Sequence, residues 1–367
     1  MKAKTSFCTK QDPVQVAAFL RSELFDGDDR LLVYFASAAY DPVVLAREMA
    51  TAFPGVVTFG CTTAGEIVSG QMLEKSVVAM ALGSQLVRRA VVATADRVSS
   101  DPRSSCRAAM QSLEQQLGAK LNDLSCESYC GLVLSDGLAG VEEAVMDEIG
   151  NASNLTFIGG SAGDDLQFKK THVYVNGRAY SDVAALAVLE MAVPFRVLKT
   201  QSFRVLPKIL VATKVNEKSR EVLEFNNQPA AQAYAEALGV PVSALPGEFM
   251  KHPLGLIAEN EPFVRSPQAV DGSTVRFYCQ ILEGMNMHVH EATDIVADTG
   301  KAVNDLGQPS ALLNFHCILR TLELRSKGQC PSYGRLFENV PTVGFSTYGE
   351  SYIGHINQTS TMLVLGG

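Results

Sequence analysis

The 367-residue sequence is poor in charge and lacks the motifs that announce several common chemistries. Only 19% of its residues are charged and the formal net charge is −8, so neither nucleic acid nor an anionic membrane surface is expected as a partner. No apolar run approaches the roughly 20 residues that cross a bilayer. The opening MKAKTSFCTKQDP lacks the apolar core of a secretion signal. The eight cysteines (8, 61, 106, 126, 130, 279, 317 and 330) include no CxxC pair, and several lie inside apolar runs such as RFYCQIL and NFHCILR. Reduced thiols in a cytoplasmic protein are expected. None of the glycine-rich segments follows GxxxxGK[ST] or GxGxxG, so nucleotide binding has no motif behind it.

What the chain has is apolar bulk, 47% of its residues, and enough length for two domains. The first half alternates strand and helix signals. RLLVYFAS reads as a buried strand; DPVVLAREMATAF is a helix with Asp41 as cap and Pro42 at its first position. VVTFG, SVVAMALG, LVRRAVVAT, YCGLVLSDG and LTFIGG are further strands, and EEAVMDEIG a helix. DPRSSCRAAMQSLEQQLG is a helix opened by Asp101-Pro102 and closed by Gly118, with Cys106, Met110, Leu113 and Leu117 on one face. Past about residue 170 strands dominate, and the Asn-Gly of THVYVNGRAY predicts a hairpin. The expected fold is α/β to α+β, two domains (1–210 and 211–367) of layered mixed sheets with flanking helices.

Three segments follow apolar strands and turn at once into glycine, small hydroxyl residues and an acid: GCTTAGEI (60–67), FIGGSAGDD (157–165) and GFSTYGESYIGHINQTS (344–360). The first and last share Gly60/Gly344, Thr63/Thr347, Gly65/Gly349 and Glu66/Glu350 at identical offsets, a hint of duplication. Such turns admit positive φ and close backbone approach, and their hydroxyls either meet a ligand or cap the turn itself. Cys61 and Ser346 are open to a nucleophile reading, but GFSTYG is not G-x-S-x-G and no histidine adjoins Cys61 in sequence. No enzymatic activity is expected.

These three segments, with NFHCILR and RFYCQILEG, resemble the paired FIST N and FIST C domains of bacterial sensory proteins, over nearly the whole chain. The resemblance implies an intracellular sensor of small molecules such as amino acids, coupled to a partner histidine kinase or cyclic-diguanylate enzyme. A stand-alone branch of similar size binds haem and senses nitric oxide, so haem is the cofactor the resemblance implies; a homodimer is among the assemblies expected. The alternative is a haem-free amino-acid sensor.

A haem sensor needs an axial ligand, most often a histidine nitrogen. Six histidines are available. His172 falls in a hairpin strand, His252 precedes a proline, His288 and His290 alternate on a strand, and His316 sits in an apolar run. His355 matches the histidine of the family's YGE–H–NQT pattern and is the expected iron ligand. Thr62, Thr63, Glu66, Ser346, Thr347, Tyr348, Glu350 and Asn357 are the expected lining of the ligand pocket.

Overall fold

A computed structural model describes residues 3–258 and 261–366. The chain adopts the expected mixed α/β class, in two compact units. They are not consecutive in sequence: the first runs to Thr200 and resumes over Thr299–His355 and from Ser360, while the second comprises Gln201–Asp298 and Ile356–Thr359.

The first unit is built from one motif used three times. In the first copy, strand Lys4–Cys8 leads through helix Pro13–Leu24 to strand Asp29–Ser37, then through helix Pro42–Ala52 to strand Val57–Thr63. A hairpin follows (Glu66–Val68, Gln71–Leu73), and strand Val77–Gly83 closes the copy. The second copy repeats this order with Val87–Asp96, Pro102–Leu117, Tyr129–Ser135, Glu142–Ala152, Phe157–Ser161, the hairpin Val173–Val175 and Arg178–Tyr180, and Val183–Met191. The third begins with Phe195–Gln201 and resumes with helix Ile295–Asn304 and strand Ala311–Cys317. Helices Ile318–Ser326 and Cys330–Arg335, strand Thr342–Thr347, a hairpin opening with Glu350–Tyr352, and strand Thr359–Leu365 complete it. The second unit is thus inserted in the third copy.

Each copy forms one sheet with the same strand order, and each sheet is completed by a neighbour's hairpin. Glu66–Val68 of the first copy pairs with Thr342–Thr347 of the third, with Phe345 opposite Glu66. Val173–Val175 of the second pairs with Val57–Thr63 of the first, and Glu350–Tyr352 of the third pairs with Phe157–Ser161 of the second. The exchange closes on itself.

Glycine makes the central pairing possible. Tyr34, Val133 and Asn314 lie opposite Gly60, Gly159 and Gly344 in the three parallel ladders. A Cβ at these glycines would stand 1.9, 1.7 and 2.1 Å from the facing carbonyl oxygens of Tyr34, Val133 and Asn314. Four residues further on, the copies interlock. Ala64 N–H donates to Ser346 O (3.2 Å), Tyr348 N–H to Ser161 O (3.1 Å) and Gly163 N–H to Thr62 O (2.9 Å).

Side chains sort by the two-residue period of the strands. One face of all three sheets enters a shared apolar core containing Phe35, Leu134, Phe315 and Phe345, where the Phe35 and Phe345 rings lie 4.4 Å apart. The other faces of the first two sheets pack on their own helices, through Leu32, Tyr34, Leu45 and Met49 in one and Cys106, Met110, Val133 and Ile149 in the other. The helix caps follow the sequence: Asp41 accepts from the N–H of Val43 (2.9 Å) and Val44 (3.0 Å), and Gly118 ends its helix at φ 75°. The Asn176-Gly177 turn forms the predicted hairpin.

The second unit is a strongly antiparallel sheet around Phe225, Phe277, Met287 and Val289, with the helix Ala230–Leu238 packed on it.

Substituting Gly159 or Gly344 by alanine is expected to cost about 3 kcal/mol, since the obstacle is backbone. Gly150, exposed on a helix with open space around its Cα, should gain about 0.5–1 kcal/mol from the same change. Denaturant melts of the variants check this; equal stabilities would refute the close-approach account.

Candidate functional site

The turn that follows Thr63 and the one that follows Thr347 hold the same clamp. The Thr63 hydroxyl donates to Glu66, and the Thr347 hydroxyl to Glu350 Oε1 at 2.8 Å. All four side chains are buried. The other Glu66 oxygen accepts from Ser76 N–H (3.1 Å) and Ser76 Oγ–H (2.7 Å). Burial pushes the Glu66 carboxyl up to about 7, against the pull of the Thr63 and Ser76 hydrogen bonds, and Asp165 adds to the rise. The middle turn has Ala162 in place of the threonine; there Asp165 accepts from the Ser37 hydroxyl at 2.8 Å.

The expected lining residues therefore take different roles. Thr63, Glu66, Thr347 and Glu350 are engaged in the clamps. Thr62 is tied to the His172 backbone, accepting its N–H at 2.9 Å. The Tyr348 hydroxyl donates to Asp164 Oδ1 at 2.5 Å and its ring stacks on Phe168 at 4.9 Å. Asn357 belongs to the second unit, where its amide oxygen accepts from Ser266 N–H (3.3 Å) and Cys279 Sγ–H (2.9 Å). Ser346 borders an open cavity.

That cavity, about 300 Å³, lies where the first and third copies meet within the first unit, lined by Gly65, Glu74, Thr321, Arg325, Cys330 and Ser346 among others. Gly65 has φ +135°, and a Cβ there would stand 3.2 Å from both Arg325 and the Ser346 hydroxyl, so a side chain would intrude on the space. Arg325 is one-third exposed and pairs with the more exposed Glu74 at 2.7 Å. At the inner wall the Ser346 and Thr321 hydroxyls share a hydrogen bond of 2.7 Å. The arrangement offers a guanidinium and hydroxyls to a small anion. Sequence reasoning found Gly65 and Ser346 as members of the paired turns, but Thr321 and Arg325 lie on an uncalled helix, Ile318–Ser326.

Behind the inner wall the outer face of the third sheet is polar. Asn314 and His316 occupy the positions of Tyr34 and Ala36 in the first copy, and of Val133 and Ser135 in the second. Ser360 donates to Asn314 Oδ1 (2.7 Å), Asn314 Nδ2 approaches the Tyr333 hydroxyl (3.5 Å), and that hydroxyl lies 3.0 Å from His316 Nδ1. Burial, with the Arg320 guanidinium nearby, holds His316 well below the usual imidazole range, so the ring is neutral near pH 7.

His355 is 1% exposed, and its ring fills the space over Gly349, where a Cβ would stand 2.1 Å from Cε1. It lines neither this cavity nor the grooves beside Gly118 and beside Asn176. Cys61 is fully buried in the shared core, and burial pushes its thiol well above the usual range, which disfavours the thiolate.

The cavity thus brings one cationic side chain and two hydroxyls to the seam of the repeated turns. A FIST N domain model matches residues 30–228 and a FIST C domain model residues 230–352; the chain belongs to the FIST family, a family of signal-sensing modules. It is also 23% identical over 208 residues to an uncharacterized protein of Methanocaldococcus jannaschii, a match spanning 51% of this chain and 40% of that relative. The two domain models meet near residue 229, whereas the compact units interleave along the chain. Among the described residues no helix is long and apolar enough to cross a membrane.

Glu66 sets a pH dependence of stability. Below its ordinary 4.5 both folded and unfolded chains hold the proton. Between there and about 7 the unfolded chain loses it and the folded chain keeps it, so stability falls as pH rises through this window. The loss is roughly 3 kcal/mol. Glu66→Gln, whose amide can serve Thr63 and Ser76 together, should flatten that slope in melts between pH 4.5 and 8; an unchanged slope would assign it elsewhere.

Proposed function

We propose that this protein is a sensor that takes a small organic anion into the cavity at Gly65, Thr321, Arg325 and Ser346. The observation that carries the reading is the guanidinium of Arg325 at the mouth of a cavity kept open by Gly65. An entering anion competes with Glu74 for Arg325. Glu74 follows the hairpin strand Gln71–Leu73, and the hairpin is bonded at its other strand to Thr342–Thr347. Ligand capture thus pulls on a strand that completes another copy's sheet, which provides a mechanical path to a protein partner, such as a histidine kinase or a cyclic-diguanylate enzyme. No catalysis is assigned: Cys61 is sealed in the core and Ser346 is bonded to Thr321.

The haem and nitric-oxide reading rests on the resemblance. An axial imidazole must open onto a cleft that admits a flat macrocycle. His355 is 1% exposed and packs over Gly349, so iron would reach its ring only after that segment moved. Haem titrated into the purified protein is therefore expected to give no His355-dependent Soret band; a Soret band lost in His355→Ala would restore that reading.

Thermal-shift measurements with acetate, butyrate, 2-oxobutyrate and succinate test the anion reading. A ligand at one hundred times its Kd adds about 2.7 kcal/mol of stability. At least one acid should raise the melting temperature saturably, and Arg325→Ala should abolish the shift. No response from wild type, or an undiminished one in Arg325→Ala, would refute it.

A further inference from the structure

The outer face of the third sheet differs from its two counterparts in burying a chain of polar groups, and the chain has a direction. At 2.7 Å the Ser360 hydroxyl gives its proton to Asn314 Oδ1. Asn314 Nδ2 then faces the Tyr333 oxygen at 3.5 Å as a donor. The Tyr333 proton has two possible acceptors, His316 Nδ1 at 3.0 Å and Ser360 Oγ at 3.4 Å. The imidazole nitrogen is nearer and the stronger acceptor. Tyr333 therefore donates to Nδ1, and the neutral ring carries its own proton on Nε2. Among the described residues that Nε2 has no hydrogen-bond partner, although His316 is fully buried. A buried donor left unmade is costly. The other two copies have alanine and serine at this position.

The imidazole stands beside a residue that lines the cavity. His316 is the register partner of Ser346 in the adjacent parallel strand, so the two side chains share a face, one strand spacing of about 4.8 Å apart. Ser346 also lines the cavity, where its hydroxyl is bonded to that of Thr321, and hydroxyls reorient without moving backbone.

We propose that His316 is the inner end of the ligand site, where its Nε2–H donates to an oxygen of the bound molecule. This inference rests on the anion reading above and narrows it to short organic acids with a second oxygen acceptor, such as 2-oxo acids and short dicarboxylates. The carboxylate lies on Arg325, and the second oxygen passes between Ser346 and Thr321 to His316. A donor-only nitrogen has no lone pair for a metal, so the site selects oxygen acceptors rather than cations.

Calorimetric titration with succinate and 2-oxobutyrate, against butyrate as the acid without a second oxygen, tests the assignment. His316→Leu should weaken the first two about tenfold, the worth of one hydrogen bond, and leave butyrate unchanged. His316→Gln, which extends an amide N–H over a similar reach, should recover much of the loss. Because the leucine variant is exposed to misfolding, wild type labelled with ¹⁵N-histidine supplies a second readout. The resonance absent from His316→Gln should show the Nε2–H tautomer, stay neutral from pH 5 to 8, and shift on adding succinate. Tyr333→Phe, which removes the proton that fixes the tautomer, should admit the Nδ1–H form. Binding that requires Arg325 but leaves the His316 resonance unmoved would overturn this inference alone. Failure of all the acids to bind wild type would overturn the anion reading with it.

Discussion

The fold turns on three points where two parallel strands run together with no side chain between one strand and a carbonyl of the other. At Gly60, Gly159 and Gly344 the strand lies hard against its neighbour, and four residues later an N–H reaches the next copy. Those three hydrogen bonds form a ring, each copy donating to one neighbour and accepting from the other. The apolar core that the sheets share is enclosed by this ring and by the exchanged hairpins. Hydrophobic burial supplies the bulk of the stabilisation there, being roughly proportional to the apolar area removed from water; the ring fixes which strands meet and in what register.

Repetition makes the exceptions informative. Where two copies place Tyr34 and Val133 against their helices, the third places Asn314; where two have Ala36 and Ser135, the third has His316. Buried polar groups are costly and must be satisfied, so a repeat that exchanges apolar for polar packing gives up stability. In the third copy that exchange falls next to Ser346, which lines the cavity beside Gly65. The cavity joins the two exceptions: the first copy lends it Gly65 and Glu74, and the third its polar side chains.

Much of the scaffold was legible in the sequence. The Asp-Pro helix starts, the Gly118 stop, the Asn-Gly hairpin and the glycine-rich turns were all local signals, and each is set by local backbone physics. The match of Gly60 to Gly344 and of Glu66 to Glu350 pointed to repetition, and FIGGSAGDD was seen as a third related turn. What stayed hidden was non-local. Glu66–Val68 is too short and too buried to alternate, so it gives no strand pattern, and it pairs with a partner near the other end of the chain. The helix Ile318–Ser326, which carries Thr321 and Arg325, follows its strand without a loop, and its start blends into the apolar run NFHCIL. Asn357 looked like part of a ligand wall because it adjoins His355 in sequence, yet its partners Ser266 and Cys279 lie in the second unit.

The exchanged hairpins also bear on how the chain comes into being. Glu66 finds its place opposite Phe345, 279 positions later (345 − 66). During synthesis the first copy emerges with an unclaimed hairpin and with an open sheet edge beside Val57–Thr63, which waits for Val173–Val175. The second copy fills that edge but opens its own beside Phe157–Ser161, filled only by Glu350–Tyr352. At every stage before the last copy is made, one apolar strand has an unpaired margin, the kind of surface that invites association between nascent chains. The third copy satisfies both outstanding debts at once, so the interlocked ring closes in a single late event and the first unit has no smaller part whose sheets are complete.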